Sequence, residues 1–206
     1  MPPTRLRSAC MVCLCAGATL VGTNQASATP LPRQAGDAGR TVAQVERYWT
    51  SHRMQSARPA DLAVAAGAAG ARAAVAGQSS STVPFRSYQV TDTRSYPNRV
   101  HGKVFFTRPG AGNFVCSGTV VDAPNQSTVL TAGHCVHDAG RWSTNFAFAP
   151  GYGNVAGTDS APYGVWAASG EAAPVPWVDS RNVKFDVGAA VIARDTLGRP
   201  LESIVG

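Results

Sequence analysis

Among the 206 residues of this chain, Thr131-Ala132-Gly133-His134-Cys135 narrows the possible folds most. It follows Ser127-Thr128-Val129-Leu130, a short apolar and β-branched run with the character of a strand. A strand that stops at Thr131 and turns through a small Ala-Gly pair carries His134 to the strand's end. Reactive side chains are commonly held there, because the sheet fixes the loop. Cys135 comes next, and Cys116 lies on the preceding apolar run from Phe114 to Val121.

Cys116-Ser117-Gly118 followed by Thr131-Ala132-Gly133-His134-Cys135 resembles the histidine motif of trypsin-like serine proteases of the chymotrypsin fold. The resemblance implies that Cys116 and Cys135 bridge and that His134 is the general base. It also implies an all-β fold of two packed barrels with the catalytic site between them. On the residues alone, two other readings stand beside it. One is a packing histidine in an ordinary β domain. The other is a zinc site from His134, Cys135 and His137, disfavoured because adjacent residues at a strand end point apart and no second Cys/His cluster has ligand spacing.

A second motif, Phe185-Asp186-Val187-Gly188-Ala189-Ala190-Val191-Ile192, sets a carboxylate just before a buried strand and resembles the family's aspartate motif. Asp186 would then accept a hydrogen bond from His134 and hold its tautomer. Asp179 and Asp195 are the competing acids; neither precedes a buried strand, and both read as surface residues. Phe148-Ala149-Pro150-Gly151-Tyr152 with Ala161-Pro162-Tyr163-Gly164 resembles the secreted bacterial branch of the family, including its glutamyl-endopeptidase-like members.

Residues 1–28 read as a signal peptide. Arg5 and Arg7 form a basic start, an uncharged apolar run extends to Gly22, and Ala26-Ser27-Ala28 fits a cleavage site. The apolar run is shorter than the ~20 residues of a membrane span. Cys10, Cys13 and Cys15 would leave with this leader. Cys116 and Cys135 would then be the two cysteines of a secreted, extracellular chain, in an oxidising setting.

Charge divides the same way. Residues 1–96 hold ten Arg against four acidic residues, and residues 97–206 hold eight basic and eight acidic. The net charge of +6 therefore belongs to the N-terminal part. A nucleic-acid partner would call for basic residues clustered on the folded domain, so none is expected, nor a membrane partner after leader removal.

Residues 29–83 read as a pro-region and linker. Thr41-Val42-Ala43-Gln44 fits a capping box, and Val42, Val45, Tyr48 and Trp49 recur at helical spacing, predicting one helix to about Met54 that Arg58-Pro59 ends. Leu62 to Gly77 is almost wholly Ala and Gly and reads as a linker. Residues 84–206 read as a six-stranded antiparallel barrel, the first of the family's two. Its strands fall near Val104–Thr107, Phe114–Val121, Ser127–Leu130, Phe146–Phe148, Tyr163–Trp166 and Val187–Ala193.

Two features depart from the family. Its nucleophile lies in a Gly-Asp-Ser-Gly-Gly motif, which these 206 residues do not contain. Ser117 adjoins a bridge cysteine and Ser169 is expected in a turn, so neither replaces it. Arg99-Val100-His101-Gly102 is a poor echo of the family's mature amino terminus. The expectation is thus the leader, pro-region and first barrel of a secreted serine endopeptidase acting on proteins or peptides, inactive on its own and with one apolar face of that barrel left bare. It needs no cofactor and no metal. The alternative is a non-catalytic β-barrel binding protein that keeps the histidine motif.

Overall fold

The computed structural model describes residues 33–35, 40–60, 90–155 and 158–206. The leader and the Ala/Gly stretch lie outside the described residues.

Twelve strands are described, six of them building the barrel. A short strand β1 (Arg33–Ala35) and a two-residue strand β2 (Arg58–Pro59) flank two helices, α1 (Val42–Tyr48) and α2 (Ser51–Ser56). Strands β3 (His101–Arg108), β4 (Gly112–Val121) and β5 (Thr128–Thr131) follow as an antiparallel meander. A single helical turn, α3 (Gly133–Val136), and a small ribbon of β6 (His137–Asp138) and β7 (Arg141–Trp142) lead into β8 (Thr144–Pro150). A second ribbon, β9 (Gly153–Val155) and β10 (Thr158–Ser160), precedes β11 (Trp166–Ala172). Helix α4 (Val175–Ser180), strand β12 (Gly188–Ile192) and helix α5 (Glu202–Val205) complete the order.

The pairing runs β3–β4–β5–β12–β11–β8 and returns from β8 to β3, every step antiparallel. The sheet is therefore a closed six-stranded barrel, which removes the exposed edges that an open sheet would carry. Its interior follows the two-residue period of strands. Val104, Phe106, Phe114, Cys116, Val120, Val129, Phe146, Phe148, Trp166, Ala190 and Ile192 all point into one buried cluster. Gly118 belongs to this inner row for lack of room: a Cβ there would sit 2.8 Å from methyl groups of both Val104 and Val129.

A second cluster lies on the barrel's outer surface. Phe105, Ala147, Ala149 and Ala167 alternate with the inward residues, yet each is at most 1% exposed. Val45 and Trp49 of the N-terminal helices cover them. The unbroken apolar run Val104-Phe105-Phe106 is thus a strand buried on both faces, as such runs generally are.

Three expectations need correction. The strand expected at Tyr163–Trp166 is mostly a turn, with Gly164 at φ +81°, and the true strand is the small-residue run that begins at Trp166. Ser169 is consequently in β11 rather than a turn, at a register shift beside β12, where its hydroxyl donates to the Val191 carbonyl at 3.1 Å. The single helix to Met54 is two helices, because the Thr50 side chain accepts from the Arg53 amide and starts a new one. The end of the described chain packs onto the barrel: Leu201 and Val205 are fully buried, and Arg99 Nε donates to the Val205 carbonyl at 2.9 Å.

The capping box takes the form expected, with Thr41 and Gln44 satisfying each other's amides. Cys116 and Cys135 form a disulfide across 19 residues of sequence, tying β4 to the turn after β5. Chain-entropy arguments give about 3 kcal/mol for a loop of this size. Replacing both cysteines with serine should lower unfolding stability by about that amount in urea titration; an unchanged midpoint would show that the bridge constrains nothing.

Candidate active site

Strand β5 ends at Thr131, and α3 turns immediately, with all four of its residues buried. His134 is 7% exposed and sits in the middle of this turn. Strand β12 pairs with β5 so that Gly188 stands opposite Thr131, which sets the residues just before β12 beside the histidine's turn. Asp186 is two residues before β12, at the end of a 3-10 turn over Val183–Phe185 that Asn182 caps by accepting from the Lys184 amide.

Both oxygens of Asp186 engage His134. Oδ2 lies 2.8 Å from Nδ1, and Oδ1 accepts the His134 backbone amide at 2.8 Å. The carboxylate therefore fixes ring and backbone together, although 52 residues separate the pair in sequence. With Nδ1 on the carboxylate, the ring's other nitrogen, Nε2, is turned away from Asp186. Cys116 Sγ is 3.9 Å from Nε2. Asp179 is exposed on α4, and Asp195 is engaged in its own turn, where Oδ2 meets Arg199 Nε at 2.7 Å.

Two glycines of the motifs, and several residues outside them, hold this arrangement. Gly188 permits close approach, since a Cβ there would lie 2.7 Å from Val136 and 2.8 Å from the Ala132 carbonyl. Gly133 does the same for Trp177, whose ring atoms would be 2.8–2.9 Å from an added Cβ. Trp177 is 1% exposed, donates its indole N–H to the His137 carbonyl at 2.9 Å, and meets the His134 ring edge-on at 6.5 Å between centroids. Arg108 donates to the His134 carbonyl at 2.9 Å and pairs with Asp138, which also pairs with Arg181. Ser143 donates its hydroxyl to the Cys135 carbonyl at 2.8 Å. Pro174 and Pro176, at the start of α4, were the available signal for the helix that carries Trp177. The contacts of Arg108 and Ser143 left no comparable mark in the sequence.

Cys116, His134 and Cys135 are the one described group of three whose donor atoms come within 4.8 Å of one another. Both sulfurs are consumed in the disulfide, so neither is the thiolate that binds a metal, and the group does not fit a metal site. His137, the third residue of the zinc alternative, is directed instead against Trp142, with ring centroids 5.1 Å apart.

No family profile matches the chain. Over 103 residues it is 29% identical to an extracellular metalloprotease of Bacillus subtilis (strain 168), covering 49% of this chain and 31% of that protein. Among solved structures it is similar to the protease Anisep of Arthrobacter nicotinovorans, with 44% identity and a TM-score of 0.48 over 52% of this chain and 47% of that one. It is also similar to a thermostable serine protease, AL20, from an extremophilic microorganism, with 38% identity and a TM-score of 0.48 over 52% and 48%. A Glu endopeptidase matches at 20% identity and a TM-score of 0.40 over 51% and 44%. The chain thus spans a third to a half of the lengths of these relatives.

Two consequences are measurable. Gly188→Ala should force β12 away from the α3 turn, costing about 1–3 kcal/mol as overpacking does and loosening the Asp186–His134 contact. Urea titration with a structure of the variant checks both; an unmoved β12 would refute the steric account. Burial lowers the pKa of His137 from its ordinary 6.5, with Asp138 and Asp179 opposing and Arg181 reinforcing. The unfolded state then takes up a proton that the folded state resists. This contribution to stability is complete above about pH 6.5 and is lost as pH falls below it. His137→Gln should flatten the pH dependence of the urea midpoint between pH 7 and pH 5, and an unchanged slope would contradict the assignment.

Proposed function

We infer that this chain carries the base and the orienting acid of a secreted serine endopeptidase that hydrolyses peptide bonds with a Ser-His-Asp triad. The observation that supports the reading most is the two-point contact between Asp186 and His134. A carboxylate on Nδ1 keeps the proton there and leaves the Nε2 lone pair to accept a proton from a serine hydroxyl. It also stabilises the imidazolium that results. In this reading His134 is the general base, Asp186 orients it, and the Cys116–Cys135 bridge is structural. Residues 1–28 are the export signal, residues 29–83 the pro-region with its linker, and residues 84–206 the first barrel. The substrate is a protein or peptide, and the triad chemistry requires no metal or cofactor.

None of the serines in these 206 residues lies in the Gly-Asp-Ser-Gly-Gly setting that would supply both the nucleophile and the oxyanion-binding amides. The reading therefore assigns those groups to sequence outside these residues and holds the chain alone inactive. The absence of that motif also keeps a non-catalytic binding protein as the second reading.

One experiment separates the outcomes. Incubated with casein and with a serine-directed fluorophosphonate probe, the purified chain should show neither turnover nor labelling. Expressed with its downstream coding sequence, it should hydrolyse casein. His134→Ala should abolish that activity, and Asp186→Asn should reduce kcat by about 10⁴. A longer product that binds peptides without cleaving them would favour the binding protein. Labelling of the short chain, lost on His134→Ala, would show that a serine within it is the nucleophile.

A further inference from the structure

The described N-terminal residues form a strap around the outside of the barrel. β1 pairs antiparallel with β11, Arg33 opposite Ala172. From there α1 lies over β11 and β8, Trp49 packs on Phe105 of β3 at 5.4 Å between ring centroids, and β2 pairs parallel with β4. The strap thus crosses β11, β8, β3 and β4, four consecutive strands of the closed barrel. Its described strand pairings do not involve β5 or β12, the strands that deliver His134 and Asp186.

The surface beneath is shaped for it. Phe105 would otherwise be an exposed aromatic, and the alanines at 147, 149 and 167 leave space for the Trp49 indole. A polar row borders this patch. Trp49 Nε1 donates to the Asn145 carbonyl at 2.6 Å, Arg40 donates to the Asn145 side-chain oxygen at 2.8 Å, and the Tyr48 hydroxyl donates to Asn113 Oδ1 at 3.0 Å. Asn113 and Asn145 are themselves held by Thr107, at 2.8 and 3.0 Å. Val45 and Trp49 are each 3% exposed. A large apolar anchor in a matched patch with satisfied polar neighbours is how tightly bound segments are held.

We propose that this outer face of the barrel is a permanent docking surface for residues 33–60 of the same chain. The segment stays bound as a separate piece after the Ala- and Gly-rich stretch beyond it is cut. Its strand pairings are with β11 and β4 rather than with the strands that deliver His134 and Asp186, and its last residue, Ala60, is fully buried in the barrel's own cluster, so its role is to complete the barrel. This holds whether or not the chain belongs to a peptidase.

The test uses the full chain with a site-specific protease sequence inserted between residues 62 and 77. After cutting, the N-terminal piece should co-elute with the barrel in native buffer on size exclusion and separate from it in urea, as read by mass spectrometry. In the cut chain Trp49→Ala should release the piece. Because Trp49→Ala can prevent folding, Arg40→Ala with Tyr48→Phe provides a milder variant. It removes two hydrogen bonds while leaving the apolar anchor, and should weaken retention about tenfold. Arg47→Ala, an exposed residue of α1 whose guanidinium meets only its own helix's Ala43 carbonyl among the contacts described, should leave retention unchanged. A wild-type piece that elutes separately in native buffer would overturn the proposal. So would retention unaffected by both the Trp49 and the Arg40/Tyr48 variants.

Discussion

Asp186 uses both carboxylate oxygens on a single residue, and the surrounding structure can be understood as what makes that possible. One oxygen holds the His134 ring and the other its backbone amide, each at 2.8 Å. A one-point contact would leave the imidazole free to rotate about its side-chain torsions. The two-point contact ties ring orientation to the α3 turn, so anything that places the turn also places the ring. The antiparallel pairing of β5 with β12 supplies the approach, and Gly188 supplies the clearance.

The turn is braced from behind at several carbonyls. Arg108, Ser143 and Trp177 bond to the carbonyls of His134, Cys135 and His137, and the disulfide anchors the same segment to β4. A turn only four residues long has little helical stability of its own. These contacts from four other parts of the chain take the place of a longer helix. Arg108 also meets Asp138, linking the carbonyl brace to the ribbon that follows the turn.

Much of this arrangement was legible in the sequence. The β-branched run before His134 and the apolar run after Asp186 marked two strand ends by local composition, while that these ends meet was implied only by the resemblance of the two motifs. Tyr163 and Trp166 misled because aromatic residues favour strands, yet Tyr163 serves a turn and bonds to the Arg94 carbonyl at 2.6 Å. The strand itself is Ala-Ala-Ser-Gly-Glu-Ala after Trp166, residues with weak strand preference that are ordered by neighbours on both sides. The helix break at Thr50 left a signal, Thr-Ser after Trp49, that the apolar periodicity outweighed. Residues that brace the turn left least, since a hydrogen bond to a distant carbonyl has no local pattern. Phe105 and the alanines at 147, 149 and 167 marked a covered outer face only once the strands were known.

The central claim is that Asp186 fixes the orientation and tautomer of His134, with the ring proton on Nδ1. Nitrogen-15 NMR of the imidazole reads the tautomer directly, with no need for substrate or nucleophile. The account predicts that neutral His134 carries its proton on Nδ1 and that Asp186→Asn changes the tautomer. A neutral ring protonated on Nε2, or a tautomer indifferent to Asp186→Asn, would contradict it.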